Sequence, residues 1–155
     1  MELQKSEIKL YAECVENLPK KKEMIPLYLD ILENTNNHII RNGVAYLIAS
    51  LSPEEPRLKS LLINLIRSTK TENSKGSLLY VMQFLDYSDN ESIDMLCEQL
   101  AIGNWECRHE AYLMIEKVLP LLTDESCKNL EQKLNILGET TAERLDFIEH
   151  LYNLI

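Results

Sequence analysis

The chain has 155 residues, of which 25 are acidic and 16 are basic, and its formal net charge is −9. A chain of this length can bury about 70% of the surface that its unfolded form exposes, so we expect a single domain, residues 1–155, that folds without disulfides or metal. The acidic balance argues against a nucleic-acid partner and favours a basic protein. No apolar run approaches the roughly 20 residues of a membrane span, and the first residues contain no signal-peptide block. We therefore expect a cytoplasmic protein that does not bind a membrane.

The first predicted helix, residues 3–18, introduces an apolar stripe that returns three times. Each copy has apolar residues at spacing i, i+3, i+4 and i+7, and the offsets between copies are 33, 34 and 33. In the last three copies a basic residue precedes the stripe by three places. The stripes are Tyr11, Cys14, Val15 and Leu18; Val44, Leu47, Ile48 and Leu51; Leu78, Val81, Met82 and Leu85; and Ala111, Met114, Ile115 and Val118. A nearly constant offset of this size indicates stacked helix pairs.

A second helix follows each of these first helices and carries its own stripe at offsets of 33, 35 and 34. The same spacing predicts that each is amphipathic and half-buried. The second stripes are Ile25, Tyr28, Leu29 and Leu32; Leu58, Leu61, Leu62 and Leu65; Ile93, Leu96, Cys97 and Leu100; and Cys127, Leu130, Glu131 and Leu134. We expect repeats at about 3–34, 37–69, 74–103 and 104–138.

Glycines and the last segment complete the pattern. Gly103 and Gly138 are expected to end second helices as left-handed caps, and Gly43 and Gly76 to permit close helix packing. A final helix, within 140–155, is expected to cover the end of the stack. Thr140 with Glu143 predicts a capping box for it. Its apolar face would contain Leu145, Ile148 and Leu151.

The four cysteines show neither a CxxC pair nor a Cys/His ligand spacing. Cys14, Cys97 and Cys127 occupy apolar stripe positions, and Cys107 is the fourth. We expect reduced core thiols in a cytosolic protein.

Helix pairs with these stripes resemble a HEAT-type alpha-solenoid. The resemblance implies an all-α fold of four helical hairpins with a C-terminal capping helix. The period is shorter than the roughly 40 residues of HEAT units, and the tetratricopeptide and ankyrin patterns are absent. A plain helical bundle is the alternative fold.

Charge is distributed unevenly along the chain. Residues 1–85 carry a net charge of +1, residues 86–125 of −8 and residues 126–155 of −2. Acidic residues favour helix starts, which accounts for some of this excess. The others would form an acidic surface that attracts a cationic partner. The predicted partner-binding residues are Asp86, Tyr87, Asp89, Glu91, Asp94, Glu98, Trp105, Glu106, Glu110, Asp124 and Glu125.

Trp105 is included because it lies at the start of a first helix and outside the buried stripe. A partly exposed Trp is a favoured interface anchor. The alternative is that it packs over the preceding turn. Tyr87 and Tyr112 could extend an aromatic and acidic patch.

The sequence gives little support for catalysis. The three histidines lie in separate segments, and no nucleophile–base order, phosphate-binding glycine loop or HExxH motif occurs. A metal site at Asp86, Asp89 and Glu91 lacks the EF-hand spacing and glycine. We expect no enzyme, no cofactor and no metal.

Two functions remain open. Size, charge and architecture resemble bacterial immunity proteins, which neutralise toxin domains that are often nucleases. That resemblance implies an acidic surface that covers a basic active site. The alternative is a scaffold or adaptor that binds several partners through all four repeats. A DNA-glycosylase-type enzyme with HEAT-like helices would need a basic groove, which the acidic segment opposes.

Overall fold

A computed structural model describes residues 5–68, 74–140 and 146–155. Within these ranges the chain is all-helical and contains no β-strand, which confirms the predicted all-α class. The α-helices of this part are α1 Lys5–Glu16, α2 Ile25–Asn34, α3 His38–Leu51, α4 Leu58–Arg67, α5 Lys75–Met82, α6 Asn90–Ile102, α7 Trp105–Val118, α8 Asp124–Thr140 and α9 Asp146–Leu154. Short 3-10 helices occupy Lys22–Met24, Ser52–Glu54 and Leu119–Leu121.

Several helices begin at a capping side chain. Asn37, Asp89 and Asn104 precede α3, α6 and α7, and each accepts hydrogen bonds from backbone N–H groups two or three residues on, at 2.9–3.1 Å. Such caps satisfy donors that the first turn of a helix leaves without partners. Pro26 lies in the first turn of α2, where a missing N–H is tolerated.

The chain divides into two compact units, Met1–Leu85 (unit 1) and Asp86–Ile155 (unit 2). The boundary falls inside the third predicted repeat, residues 74–103. Its first helix, α5, belongs to unit 1, and its second helix, α6, belongs to unit 2.

In unit 1, α3 packs between α1 and α5, while α2 packs on α3 and α4 packs on α5. Two side chains fix loops to this core. The Tyr28 hydroxyl donates a hydrogen bond to the carbonyl of Pro19, and Ser74 Oγ donates to the carbonyl of Leu32. The helix termini of unit 1 are therefore tied to their neighbours by polar as well as apolar contacts.

Gly43 allows α1 to approach α3 closely. A Cβ atom built on Gly43 would lie 2.6 Å from Val15 Cγ1, which is shorter than any normal carbon contact. The predicted role of Gly43 in helix packing is therefore confirmed. Gly76, its counterpart in α5, is buried.

In unit 2, α6 packs on α7 and α8, and α9 packs on α7 and α8. Ile148 and Leu151 bury the inner face of α9, as predicted for the last helix. Leu145 and the proposed capping box of Thr140 and Glu143 lie outside the residues whose side chains the structure describes.

Burial confirms most of the predicted stripes. The stripes of α2, α3, α6 and α7 are buried throughout, and in the stripe that begins in α5 only Leu85, which follows that helix, is half-buried. The stripe of the first helix, Tyr11, Cys14, Val15 and Leu18, has no buried member. In α4 the prediction is confirmed for Leu58 and Leu62, which are buried, but it was wrong for Leu61, which is exposed, and Leu65 is only half-buried. Ile63 and Ile66 are buried there instead.

The predicted core thiols and glycine caps also need correction. Cys97 and Cys107 are buried and Cys127 is half-buried, but Cys14 is exposed. Gly103 has φ of −63°, so it is not a left-handed cap. A Cβ there would lie 2.4 Å from the Gln99 carbonyl oxygen, and this contact explains the glycine. Gly138 lies inside α8, which continues to Thr140.

Helices that follow one another and pack extensively are α2 with α3, α4 with α5, α6 with α7 and α8 with α9. Each of these pairs crosses a predicted repeat boundary. The repeat boundaries and the single-domain assignment stay predictions.

Candidate protein-binding surface

The charge asymmetry of the sequence coincides with the division of the fold. Residues 1–85, which form unit 1, carry a net charge of +1, while residues 86–155, which form unit 2, contain 15 acidic and 5 basic residues. The acidic excess of the chain therefore belongs to one compact unit.

Part of this excess stabilises helix starts. Asp89 caps α6, and Asp86 accepts hydrogen bonds from the N–H and Oγ of Ser88 at 3.1 and 2.7 Å. Further carboxylates lie in the first turns of helices, where the helix dipole favours negative charge. These are Glu91 in α6, Glu106 in α7, and Asp124 and Glu125 in α8. The dipole therefore also accounts for Glu106.

Asp94 and Glu98 lie one turn apart on α6 and differ in environment. Lys133 of α8 places its Nζ 2.9 Å from Asp94 Oδ1, so this carboxylate is ion-paired within the unit. Glu98 is exposed, as are Asp86, Glu91, Glu106, Asp124 and Glu125, whereas Asp89, Asp94 and Glu110 are half-buried. Most of the predicted acidic residues are therefore at the surface of unit 2.

Trp105 is the most prominent exposed aromatic residue among those described in unit 2. Its side chain is 71% exposed, and its ring stacks on His109 with centroids 5.2 Å apart and planes 6° from parallel. His109 therefore stacks on one face of the ring, while most of the indole surface meets solvent. An exposed Trp of this kind suits an interface anchor.

The two tyrosines considered for the same patch differ in burial, since Tyr87 is buried and Tyr112 is half-buried. Tyr87 is only 6% exposed, and burial raises the pKa of its hydroxyl. Tyr112 is half-buried and packs edge-on against His150 of α9, with centroids 5.8 Å apart. Burial and the neighbouring Glu116 raise the pKa of Tyr112. Tyr87 therefore belongs to the packing and not to the open binding surface that the sequence predicted.

A groove between α6 and α8 was missed by sequence reasoning. It has a volume of about 400 Å3 and is lined by Asp94, Cys97, Glu98, Ala101, Ile102, Lys133, Ile136 and Leu137. Ile102 is 76% exposed and Ile136 is 58% exposed. The two isoleucines are separated by one repeat period, and this recurrence outside the buried stripe is the signal that could have found them.

Unit 1 carries a second, larger groove between α1 and α3. Its volume is about 550 Å3, and Val15, Gly43, Tyr46 and Leu47 are among its lining residues. Tyr46 is 65% exposed, and Tyr80 occupies the equivalent position of α5, one repeat later. Apolar surface at repeat-related positions is therefore found in both units.

The cysteine in the α6–α8 groove is buried, which disfavours its thiolate form. Burial raises the pKa of the Cys97 thiol to about 12, an effect that the ammonium of Lys133 only partly offsets. A thiol with this pKa remains protonated near neutral pH, and only the thiolate is a good nucleophile.

Within residues 5–68, 74–140 and 146–155, no group of three or more His, Cys, Asp or Glu side chains is arranged to hold a metal ion. None of the helices in these ranges is both long and apolar enough to cross a membrane. Comparison of the chain with protein-family models, with curated proteins and with solved structures finds no match.

Proposed function

We propose that this chain is a protein-binding module that inhibits a basic partner by covering it with the acidic surface of unit 2. The observation that carries the proposal is the coincidence of the charge boundary with the boundary between units 1 and 2. A compact body with 15 acidic and 5 basic residues produces a field that accelerates encounter with a cationic surface.

The partner class that fits this surface best is a nuclease-like toxin domain, as in the immunity proteins that the chain resembles in size and charge. A nuclease site is basic because it binds phosphate groups. Exposed carboxylates such as Glu98 and Glu106 would compete for the same cationic side chains. Trp105 would add an apolar anchor beside them.

The architecture that we propose for this function is a HEAT-like alpha-solenoid. The recurrence of buried stripes at a nearly constant offset supports it. So does the packing within unit 1, where the first helices α1, α3 and α5 are neighbours in that order. Stacked repeats would present long, rigid surfaces to a protein partner.

Affinity capture from the native host, followed by mass spectrometry, tests the proposal. The key variant combines Glu98→Lys with Glu106→Lys, because both side chains are exposed. Asp89 and Asp94 are left unchanged since one caps α6 and the other is ion-paired. We expect one stoichiometric basic protein with the wild type at low salt and its loss with the variant.

The matched control combines Glu16→Lys with Glu23→Lys, two exposed carboxylates of unit 1 that give the same change in net charge. This control should retain the partner. Loss of the partner in both variants would mean that total charge matters and unit 2 does not. Retention of the partner by both variants would show that the acidic surface of unit 2 is not needed for binding.

A scaffold or adaptor is the second candidate, and the groove between α1 and α3 favours it. That groove is largely apolar, and its edge residue Tyr46 is exposed. An adaptor that binds there would retain several partners after the charge reversal in unit 2. Replacement of Tyr46 by Ser would release them.

A further inference from the structure

The groove between α6 and α8 has a regular construction. Asp94, Cys97, Glu98 and Ala101 are spaced i, i+3, i+4 and i+7, so they lie along one face of α6. Lys133, Ile136 and Leu137 form the facing wall on α8 at i, i+3 and i+4. The α6 wall from Asp94 to Ala101 is about 10 Å long at roughly 1.5 Å per residue. A groove of this length matches two turns of a helix.

The groove has both polar and apolar lining residues. Lys133 Nζ is 2.9 Å from Asp94 Oδ1, so an ion pair joins the two helices. Ile102 and Ile136 also line the groove and are 76% and 58% exposed. Large exposed isoleucines beside a concavity are typical of a surface that another protein covers.

Charge indicates the kind of segment that fits. Among the described residues that line the groove, Asp94 and Glu98 are acidic and Lys133 is basic. Glu98 lies one turn further along the same wall than Asp94, and its side chain is exposed. An incoming lysine or arginine would therefore meet a carboxylate while its neighbouring apolar residue enters the groove.

We propose that this groove binds a basic amphipathic helix of the partner, with an apolar side chain seated between Ile102 and Ile136 and a cationic side chain against Glu98. The proposal rests on the proposed function and names the element of the partner that unit 2 binds. Amphipathic helices bind apolar grooves through anchors at i, i+3 and i+4, which the α6 and α8 walls can match.

The direct test measures binding of a labelled leucine–lysine peptide whose leucines form one helical face, by fluorescence anisotropy at physiological salt. The test variant is Ile102→Ser with Ile136→Ser, and both positions are exposed enough to leave the fold intact. We expect binding to weaken by about tenfold or more, because both apolar contacts are lost. The control is Leu121→Ser, since Leu121 is 74% exposed in the same unit but does not line the groove. Equal weakening by the control, or no weakening by the test variant, would overturn the proposal.

A second variant distinguishes binding in the groove from nonspecific binding to any apolar surface. Ala101→Phe makes the surface more apolar but fills the groove, so peptide binding should weaken. Stronger binding would show that any apolar surface suffices and would overturn the proposal. A peptide with the same residues shuffled, so that no apolar face forms, should bind weakly to the wild type. If the shuffled peptide binds as tightly as the amphipathic one, charge alone explains the interaction, and the proposal is overturned.

The outcomes for the groove and for the proposed function are distinguishable with the natural partner. If Ile102→Ser with Ile136→Ser leaves its capture unchanged while Glu98→Lys with Glu106→Lys abolishes it, the groove proposal fails and the acidic-surface proposal stands. If the peptide requires the groove but no charge-dependent partner is captured, the groove stands and the inhibitor function fails.

Discussion

Lys133 Nζ lies 2.9 Å from Asp94 Oδ1, and this ion pair joins α8 to α6 in the wall of the groove in unit 2. The two side chains are 32% and 38% exposed, so solvent weakens the interaction. A double-mutant cycle of Asp94→Asn and Lys133→Met, followed by urea unfolding, should give a coupling energy of about 0.5 to 1 kcal/mol. The coupling should fall as salt is added. A coupling of zero at low salt would show that the pair contributes nothing to stability.

Two neighbouring leucines of α4 test which face of this helix is buried. Leu62 is fully buried, whereas its neighbour Leu61 is 41% exposed. Leu62→Asp should remove the cooperative melt, because an unpaired buried charge costs more than about 4 kcal/mol. Leu61→Asp should retain it. Circular dichroism melts distinguish the two, and the reverse outcome would mean that α4 is rotated. Leu96, fully buried in α6, should behave as Leu62 does.

Two helical glycines should respond to alanine with opposite signs. At Gly43 the new methyl group would lie 2.6 Å from Val15 Cγ1, so Gly43→Ala should destabilise by about 1 to 3 kcal/mol. Val15→Ala should relieve the clash in the double variant. At Gly138 the nearest atom is Ile148 Cγ2 at 3.9 Å, so Gly138→Ala should stabilise α8 by about 0.5 to 1 kcal/mol. Denaturant titration measures both, and a Gly43→Ala variant that is as stable as the wild type or more stable would contradict the packing described for α1 and α3.

Thiol reactivity should separate the cysteines. Cys14 is exposed and should react with a thiol reagent in the native state, whereas Cys97 should react only after unfolding. Burial raises the pKa of Cys97 from 9.0 to about 12, so the folded state holds this proton more tightly than the unfolded state. The associated stability is present below pH 9 and is lost as the pH rises toward 12. The free energy of unfolding of the Cys97→Ala variant should therefore fall less than that of the wild type between pH 9 and pH 12. Rapid native-state labelling of Cys97 would contradict its burial.

The sequence predicted the buried residues of a helix correctly where its apolar residues lie on one face only. In α6, Ile93, Leu96, Cys97 and Leu100 are the apolar residues of a clear stripe, and all four are buried. In α4 the apolar residues are spread around more of the helix circumference. The spacing of apolar residues alone could therefore not show whether Leu61 or Ile63 is buried. Packing against α5 decides this. Cys14 follows the same rule, because the packing of α1 on α3 leaves this thiol exposed.

The candidate site was only partly predictable for the same reason. Helix-start carboxylates such as Asp89 and Glu91 could be identified from local sequence. The pairing of Asp94 with Lys133 joins two helices that are not consecutive in the chain, and no local pattern indicates it. The burial of Tyr87 is likewise a tertiary property, since nothing in its neighbouring residues distinguishes it from an exposed turn tyrosine.

The most direct test of the acidic-surface proposal is the association rate with the captured partner as a function of ionic strength, measured by stopped flow. For the wild type the rate should fall steeply as salt rises, because opposite charges steer the encounter. Glu98→Lys with Glu106→Lys should slow association at low salt and flatten this dependence, whereas Glu16→Lys with Glu23→Lys should leave both close to the wild type. The same salt dependence in all three proteins would contradict the claim that the acidic surface of unit 2 recognises the partner.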